Sequence, residues 1–420
     1  MTNANRMHLI VSRNFKTKPK IYLCNHGKKL EKKLSHFLVL GAGKMGVVLA
    51  KDLVESDTQN KVTLVDINSE QLEQAADIIQ SDRLFPVQRD MEDEKQREKI
   101  FKGQDVALCA LLHKHSLLTL ETAVRNGVHF VDLIGEEPLK RLEYDEETKK
   151  KDITAISGLG VSPGITNICV GRAVHLLDET EKAMIYVGGN PIEPKPPLNY
   201  RIVYAVESLL DFYERKVSVL KKGRVKEIKP LSGVESIQFP APFMEMECFY
   251  TDGLNSLIHT MKGKIKDELA EKTIRHKGHA QGIETLKECG LFSHKPIPAG
   301  NQKVIPRELL EAVLDSEMKL GKERDVTLLR IIVSGKKSMM STTHIFEMID
   351  FYDSERGYTS MGKTTSFPAS IAAQMIASGR ILRRGILFPE DVFQDELYNP
   401  FMDALKERGV VVSHKIISDE

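Results

Sequence analysis

The glycine string Gly41-Ala42-Gly43-Lys44-Met45-Gly46 is the feature that most restricts what this chain can fold into. An apolar run, 36–40, precedes it, an amphipathic helical pattern follows it, and a second apolar run, 61–66, ends in an acid twenty residues after the last glycine. A strand, a glycine turn, a helix and a second strand ending in an acid are the parts of a dinucleotide-binding unit. The first glycine permits a tight turn, the second lets backbone N–H groups approach the pyrophosphate, and the third lets the helix pack closely. The string therefore predicts a Rossmann-type cofactor site.

Asp66, the acid at the end of the second strand, indicates which nicotinamide cofactor is bound. Its carboxylate can accept hydrogen bonds from the ribose hydroxyls and repels a 2′-phosphate, and residues 67–69 contain no arginine. We therefore predict NAD. For Asp90, expected at the adenine end, a solvated loop position is the alternative. The residues expected around the cofactor are Gly41, Gly43, Lys44, Met45, Gly46, Asp66, Ile67, Asp90, and Leu111 and Leu112 after the fourth strand.

Apolar runs alternate with helical stretches from Ser35 to about Ala155, which is typical of a parallel sheet covered on both faces. After the glycine-rich string 157–167 the strands become longer, and one hairpin is expected to turn on Lys222-Gly223. We predict an α/β fold, with a doubly wound, Rossmann-like parallel sheet followed by an α+β domain with a mixed sheet. The expected divisions are a basic N-terminal extension, 1–35, an NAD-binding domain, 36–157, an α+β domain, 158–340, and a C-terminal segment, 341–420.

Charge and cysteine content restrict the partners. Residues 1–35 contain nine Lys or Arg and one acid, Glu31, so they carry +8 and the rest of the chain about −7. A folded part with a net negative charge has few surplus cations to neutralise phosphates, which argues against a nucleic-acid partner. The cysteines are five, widely spaced and without a C-x-x-C pair, and no apolar run is long enough to span a membrane. We predict a cytoplasmic protein without a membrane partner, and an organelle-targeting role of the basic start stays open.

Several strings resemble the saccharopine dehydrogenase-like family, most closely its lysine 6-dehydrogenase branch. They occur in family order from 36 to about 390, and they are GAGKMG, GVHFVDLIGEE, GLGVSPGITN, ECFYTDGLNSL, KTIRHKGHAQGIETLKECGLF and MGKTTSFPASIAAQMIASG. One difference lies at Lys363, where the family pattern has arginine, and a lysine keeps the charge but loses the bidentate fork.

The resemblance implies a small amino-acid substrate, a homodimer, and a second domain that serves catalysis and dimerisation. It implies oxidative deamination of L-lysine by NAD to the semialdehyde, which cyclises, with ammonia and NADH. The alternatives are reductive coupling of an amine to a carbonyl acid, as in saccharopine or carboxynorspermidine formation, and an NAD-binding regulator without turnover. The C-terminal helix, predicted over 367–379 from Ser366 as cap, Pro368 in the first turn and Gly379 as terminator, is expected to return to the Rossmann domain.

Oxidation of an amine requires a base, because the lysine ammonium has a pKa near 10.4 and must become neutral before hydride leaves. His113 follows the fourth strand, beside Lys114 and His115, and Asp132 and Glu136 follow the fifth. We predict His113, Asp132 and Glu136 as catalytic residues; the alternatives are polar loop, helix-cap and surface positions.

The substrate carboxylate is expected at the start of the helix that follows GLGVSPGITN. Backbone N–H groups of Gly164 and Ile165 and the amide of Asn167 are the candidate donors, and a plain turn with a cap is the alternative. Further candidates for this anion site are Arg201, Lys363, Thr364 and Thr365. His259, His276 and His279 lack the acids or cysteines that would complete a zinc site, so no metal is predicted.

Overall fold

The computed structural model of the protein describes residues 35–203, 205–321 and 324–419. The predicted basic extension, 1–35, lies outside these residues except for Ser35. The strands are β1 Ser35–Leu40, β2 Asn60–Asp66, β3 Leu84–Gln88, β4 Val106–Cys109, β5 His129–Asp132, β6 Thr154–Ile156, β7 Glu179–Pro191, β8 Val217–Lys221, β9 Arg224–Ile228, β10 Glu235–Gln238, β11 Glu245–Tyr250, β12 Ile265–Arg275, β13 Ile297–Ala299, β14 Gln302–Val304, β15 Asp325–Lys337, β16 Met340–Phe351, β17 Gly385–Leu387 and β18 Ser413–Ser418.

Helices separate most of these strands. They are α1 Lys44–Ser56, α2 Ser69–Ile79, α3 Glu94–Phe101, α4 His113–Asn126, α5 Pro138–Leu142, α6 Asp145–Lys150, α7 Ile165–Leu176, α8 Val206–Phe212, α9 Leu257–Thr260, α10 His279–Glu288, α11 Pro306–Met318, α12 Ser360–Ala377, α13 Pro389–Val392 and α14 Tyr398–Glu407. Among the described residues no helix has the length and apolar character that a membrane crossing requires.

The first sheet has seven strands, all paired in parallel, in the order β17-β6-β5-β4-β1-β2-β3. The strand order reverses at β1, which lies between β2 and β4. In open α/β sheets, ligands bind in the crevice outside the carboxyl ends of the strands at such a switch point. The predicted Rossmann-like sheet is confirmed.

The second sheet has nine strands and is mixed. Its main order is β10-β11-β12-β7-β15-β16-β18, and β8 pairs with β12 and with β9. Only the β12–β7 pair is parallel, whereas the long β7, β15 and β16 strands pair antiparallel. The predicted hairpin turns at Lys222-Gly223, both with positive φ, between β8 and β9. The mixed sheet of the second domain is confirmed.

The C-terminal segment contributes to both sheets, because β17 extends the first, and β16 and β18 belong to the second. Its helix, predicted over 367–379, begins at Ser360 and ends at Ala377. The sequence pattern misassigned the start, because the cap is Thr359, whose side chain accepts from the Gly362 N–H. Ser366 lies within the helix, and its hydroxyl donates to Met45 O of α1 at 2.9 Å.

Candidate dinucleotide and substrate site

The glycine turn between β1 and α1 has the geometry that a dinucleotide requires. Gly41 has φ +100°, and its N–H donates to Val65 O at 2.7 Å. A Cβ on Gly46 would lie 1.8 Å from Gly41 O, whereas a Cβ on Gly43 would meet nothing within 4 Å. Gly43 thus faces open space at the start of α1, where helix N–H groups point outward. The turn fits a pyrophosphate.

Asp66 is held at the edge of this turn. One carboxylate oxygen accepts from the Ala42 N–H at 2.7 Å and the other from the Asn68 N–H at 2.9 Å. Each oxygen keeps a further acceptor position, so the carboxylate can still bind ribose hydroxyls. Ile67 beside it is 63% exposed. Arg89, a residue that the sequence analysis did not consider, lies close by, because its backbone N–H donates to Asp66 O.

The other predicted cofactor residues lie around the turn or in a nearby loop. Leu111 Cδ2 is 3.3 Å from the position of a Cβ on Gly41, and Leu112 is partly exposed beside it. Lys44 is exposed at the first position of α1, and Met45 packs against the core. Asp90 accepts from the Glu92 N–H, so it stabilises its own loop.

Two predicted catalytic residues, His113 and Glu136, line one open pocket of about 550 Å³ at the starts of α4 and α5. Arg215, which follows α8, lines it too and forms an ion pair with Glu136. Lys114, Glu121 and Glu137 complete its polar lining. The sequence analysis missed Arg215, because it lies far along the chain from the fifth strand.

Asp132 does not face this pocket, so the predicted catalytic role is wrong. Its carboxylate and the Arg141 guanidinium are each 1% exposed and 2.6 Å apart. Ser116 and the Gly158 N–H donate to the same carboxylate. At 1% exposure this carboxylate is closed to a substrate, and the ion pair with its hydrogen bonds fixes the loops after β5 and β6 instead.

The string GLGVSPGITN forms a turn and cap, which was the alternative to a substrate site. Gly164, Ile165 and Asn167 are buried. Asn167 accepts from the Gly164 N–H and donates to Ser256 and Glu390, so its amide is fully engaged. The prediction that these three residues bind a carboxylate is therefore wrong.

All four remaining anion-site candidates are bonded within the fold. Lys363 is 6% exposed and its Nζ lies 3.1 Å from Asp350 Oδ2. Thr364 is fully buried and donates to Ser360 O. Arg201 donates to Pro196 O and Tyr200 O. Thr365 is half-buried near the strand ends, where its Cγ2 is 3.3 Å from the position of a Cβ on Gly160, and its hydroxyl donates to Met361 Sδ at 3.4 Å.

Two carboxyl groups that the sequence analysis missed lie near the Glu136–Arg215 pair, below the surface of the pocket. Asp252 follows β11, and burial raises its pKa, although nearby Arg215 acts in the opposite direction. Glu271 on β12 is 2% exposed, accepts from Ser162 Oγ at 2.7 Å, and has its pKa raised to about 8 by burial and by Asp252. Both lie in or beside the strings that carried the family resemblance, but an acid in a strand pattern gives no signal of facing a cleft.

Two of the three histidines considered for a metal, His276 and His279, serve as packing groups, whereas His259 is exposed. His279 is buried between Tyr213 OH and Leu198 O, and burial lowers its pKa to about 3. His276 bonds to Pro191 O. Over the residues that the structure describes, no three His, Cys, Asp or Glu side chains are grouped as metal ligands.

Two family models match the chain. The saccharopine dehydrogenase NADP-binding domain matches residues 37–156, and the saccharopine dehydrogenase C-terminal domain matches residues 160–410. The second match alone covers more than half of the chain. The predicted family resemblance is confirmed, while its lysine 6-dehydrogenase branch stays a prediction.

Curated relatives carry related names. The chain is 23% identical over 412 residues to saccharopine dehydrogenase (NADP+, L-glutamate-forming) of Schizosaccharomyces pombe, which covers 79% of this chain and 88% of that protein. It is 21% identical over 450 residues to the mitochondrial alpha-aminoadipic semialdehyde synthase of Mus musculus, covering 89% of this chain and 47% of that protein. Among solved structures, apo saccharopine dehydrogenase (L-Glu forming) of Saccharomyces cerevisiae matches with a TM-score of 0.75 and 19% identity over 91% of this chain and 100% of that chain. This match supports the fold alone.

Proposed function

The chain belongs to the saccharopine dehydrogenase family of oxidoreductases, and we propose that it uses NAD to oxidise the ε-amino group of L-lysine. The observation that carries this proposal is the acidic character of the substrate side of the cleft. Glu121, Glu136 and Glu137 are three carboxyl groups of the pocket lining, and the guanidinium of Arg215 is already ion-paired with Glu136. Such a cleft favours a substrate that brings an ammonium group.

The Glu136–Arg215 ion pair suits the amino-acid head of lysine. It offers one charge of each sign at the pocket wall, which matches an α-ammonium and an α-carboxylate. Arg215 can bind the carboxylate with two parallel N–H donors. Asp252 lies near both residues, and it is the carboxyl group that we assign to the ε-ammonium.

The reaction requires the protein to accept a proton before hydride transfer. R–CH₂–NH₃⁺, NAD⁺ and water become R–CHO, NH₄⁺, NADH and one H⁺. When bound, the nicotinamide ring supplies the hydride acceptor. The protein groups available to take the ammonium proton are His113, Asp252 and Glu271, and a second proton transfer activates the water that hydrolyses the iminium.

The choice of NAD rests on Asp66. Its carboxylate is fixed at the turn by two backbone N–H groups, so it cannot move away from a 2′-phosphate without losing both hydrogen bonds. The Schizosaccharomyces pombe relative and the family model of residues 37–156 have NADP in their names, and Arg89 near Asp66 is a group that could bind such a phosphate. We therefore base the choice of NAD on the charge of Asp66, and the test includes both cofactors.

Oxidation or formation of saccharopine is the second candidate, and the names of the relatives favour it. Saccharopine has three carboxylates, so its binding needs several cations at the substrate side. Arg215 and Lys114 are the cations at the pocket wall. Against them are the three carboxyl groups of the same cleft, and for this reason we rank lysine first.

Incubation with NAD or NADP and a panel of amines tests these candidates. The panel contains L-lysine, L-ornithine, cadaverine and saccharopine, and NADH or NADPH absorbance is followed at several pH values. Lysine-dependent reduction of NAD supports the proposal. Turnover of saccharopine alone supports the second candidate, and NAD binding without oxidation of any amine supports a regulatory protein. Sedimentation of the same sample tests the predicted homodimer.

A further inference from the structure

Glu271 is a buried carboxyl group that accepts one side-chain hydrogen bond, from Ser162. It lies on β12 and is 2% exposed, and Ser162 Oγ donates to its Oε2 at 2.7 Å. Ser162 itself is half-buried, in the turn that follows β6 at the carboxyl end of the first sheet. Ser162 Oγ also accepts from Thr166 Oγ1 at 3.1 Å, which leaves one acceptor position on this hydroxyl for a substrate ammonium group.

The surroundings of Glu271 hold it in this position without neutralising it. A Cβ on Gly253 would lie 1.7 Å from Glu271 Oε1, so only glycine leaves room for the carboxyl group. On β7, the residue opposite is the apolar Ile185. Lys272, next along β12, is directed away and bonds to Gly233 O and Glu235.

Asp252 is the charged group whose proximity raises the pKa of Glu271. Arg215 and Glu136 are the charged groups whose proximity changes the pKa of Asp252 in turn. No described cation forms an ion pair with Glu271. Because burial and Asp252 both disfavour its ionised form, the pKa of Glu271 is about 8, and the donated Ser162 hydrogen bond keeps it from rising further. A carboxyl group with this pKa can both take and release a proton near neutral pH.

We propose that Glu271 is the residue that receives the proton of the substrate ammonium, and that the Ser162 hydroxyl passes it on. This inference rests on the proposed function. As the Ser162 O–H proton moves to the Glu271 carboxylate, Ser162 Oγ takes a proton from R–NH₃⁺. One N–H bond breaks and one carboxyl O–H bond forms, with no change of oxidation state. The neutral amine that remains has the free electron pair needed to support hydride loss from its carbon.

Glu271 acts through Ser162, so it is a positioning residue whose role appears in the pH dependence. Its active form is the carboxylate, and therefore kcat/KM for lysine rises with pH through about 8. A carboxyl group that only fills space would not produce this rise of kcat/KM with pH, which is the limb of the pH profile near pH 8. The neutral, similarly shaped Glu271→Gln removes the proton acceptor with little change of volume.

The test is the pH profile of kcat/KM for lysine with NAD in the wild type, Glu271→Gln, Glu271→Asp and Ser162→Ala. Glu271→Gln is expected to lower kcat/KM about 100-fold or more, which is the usual contribution of a general base. Its remaining activity is expected to rise only toward the pKa of the free amine, near 10.4. Glu271→Asp is expected to restore the limb near pH 8 in part, and Ser162→Ala to lose activity as Glu271→Gln does.

Glu247→Gln is the control, because Glu247 is also a buried carboxyl group, but it accepts from the Gly278 and Ala280 N–H groups at the start of α10. It is expected to keep the wild-type limb. NAD affinity and thermal unfolding of each variant report folding. The inference is overturned if Glu271→Gln keeps both the limb and the rate within about threefold, a difference below 1 kcal/mol. If the wild type oxidises no amine, the proposed function fails first, and this inference falls with it.

Discussion

The cofactor side and the substrate side of the cleft are assembled in different ways. On the cofactor side, Gly41, Gly46 and Asp66 belong to one strand-helix-strand unit and are joined by short-range backbone contacts. The groups that we propose for the substrate side come from five separate segments, and they are Glu136, Ser162, Arg215, Asp252 and Glu271. A local unit can be inferred from residue order, whereas a gathered site needs the tertiary fold. We therefore expect mutations on the cofactor side to change NAD binding and mutations on the substrate side to change amine recognition.

The largest effect is expected at Asp132, which supports the substrate side without touching substrate. Asp132→Asn leaves the Arg141 guanidinium buried and unpaired, so we expect the free energy of unfolding to fall by about 3–5 kcal/mol. Chemical denaturation measures this loss. In the protein that remains folded, the shape of the pH profile should not change. Glu98→Gln, which breaks the more exposed pair with Arg125, should cost less than about 1 kcal/mol. An equal cost for both would contradict the assignment.

On the cofactor side, Gly46→Ala is expected to abolish most NAD binding. Its methyl group would lie 1.8 Å from Gly41 O, so the turn must shift and its hydrogen bonds to phosphate are lost. Losing two such bonds corresponds to about a 100-fold weaker Kd. Calorimetric titration with NAD measures it.

Gly43→Ala separates binding from folding at the same turn. Nothing lies within 4 Å of its added methyl group, so the unfolding temperature should stay at the wild-type value while the Kd for NAD increases. Unchanged NAD affinity in both glycine variants would show that the turn does not hold the cofactor.

Arg215→Ala is expected to raise the KM for lysine about tenfold or more and to leave the Kd for NAD unchanged. A charge-assisted hydrogen bond to a carboxylate contributes about 1.5–3 kcal/mol. Arg215→Lys should recover part of the loss, because it keeps the charge without the bidentate fork. Lys216→Ala is the control, since this neighbouring side chain is 77% exposed and pairs only with Glu227 among the described residues. A wild-type KM in Arg215→Ala would remove Arg215 from substrate binding.

The smallest effect is expected at Asp66. Asp66→Asn removes the charge that repels a 2′-phosphate but keeps one acceptor oxygen, so the preference for NAD over NADP should fall about tenfold, or 1.4 kcal/mol. Steady-state kinetics with both cofactors measure the ratio. Arg89→Ala should leave kcat/KM with NAD unchanged. A wild type that prefers NADP and loses this preference in Arg89→Ala would reverse the assignment.

Much of the fold could be predicted from the sequence, because strand and helix periods, glycine turns and the hairpin at Lys222-Gly223 are local properties. The start of α12 was missed, because Ser366 and Pro368 resemble the residues of a helix start. The actual cap, Thr359, lies more than one helical turn before them. Pro368 is tolerated inside the helix at the loss of one backbone hydrogen bond.

The substrate site could be predicted only in part, and burial is the reason. Glu136 follows a strand and faces the pocket, as expected, but Asp132 in the same string meets Arg141 and becomes structural. Asn167 has the donors that a carboxylate needs, yet Glu390, far along the chain, already uses them. Whether a polar side chain is free or engaged depends on such distant partners, and residue order does not show them.

The most direct test of the central claim is the fate of deuterium from labelled lysine. One sample of L-lysine carries deuterium at the ε-carbon and another at the α-carbon, and the NADH formed from each is analysed by mass spectrometry. The account predicts one deuterium in the NADH from the ε-labelled sample and none from the α-labelled sample. Deuterium in NADH from the α-labelled sample, or no NADH from either, would contradict it.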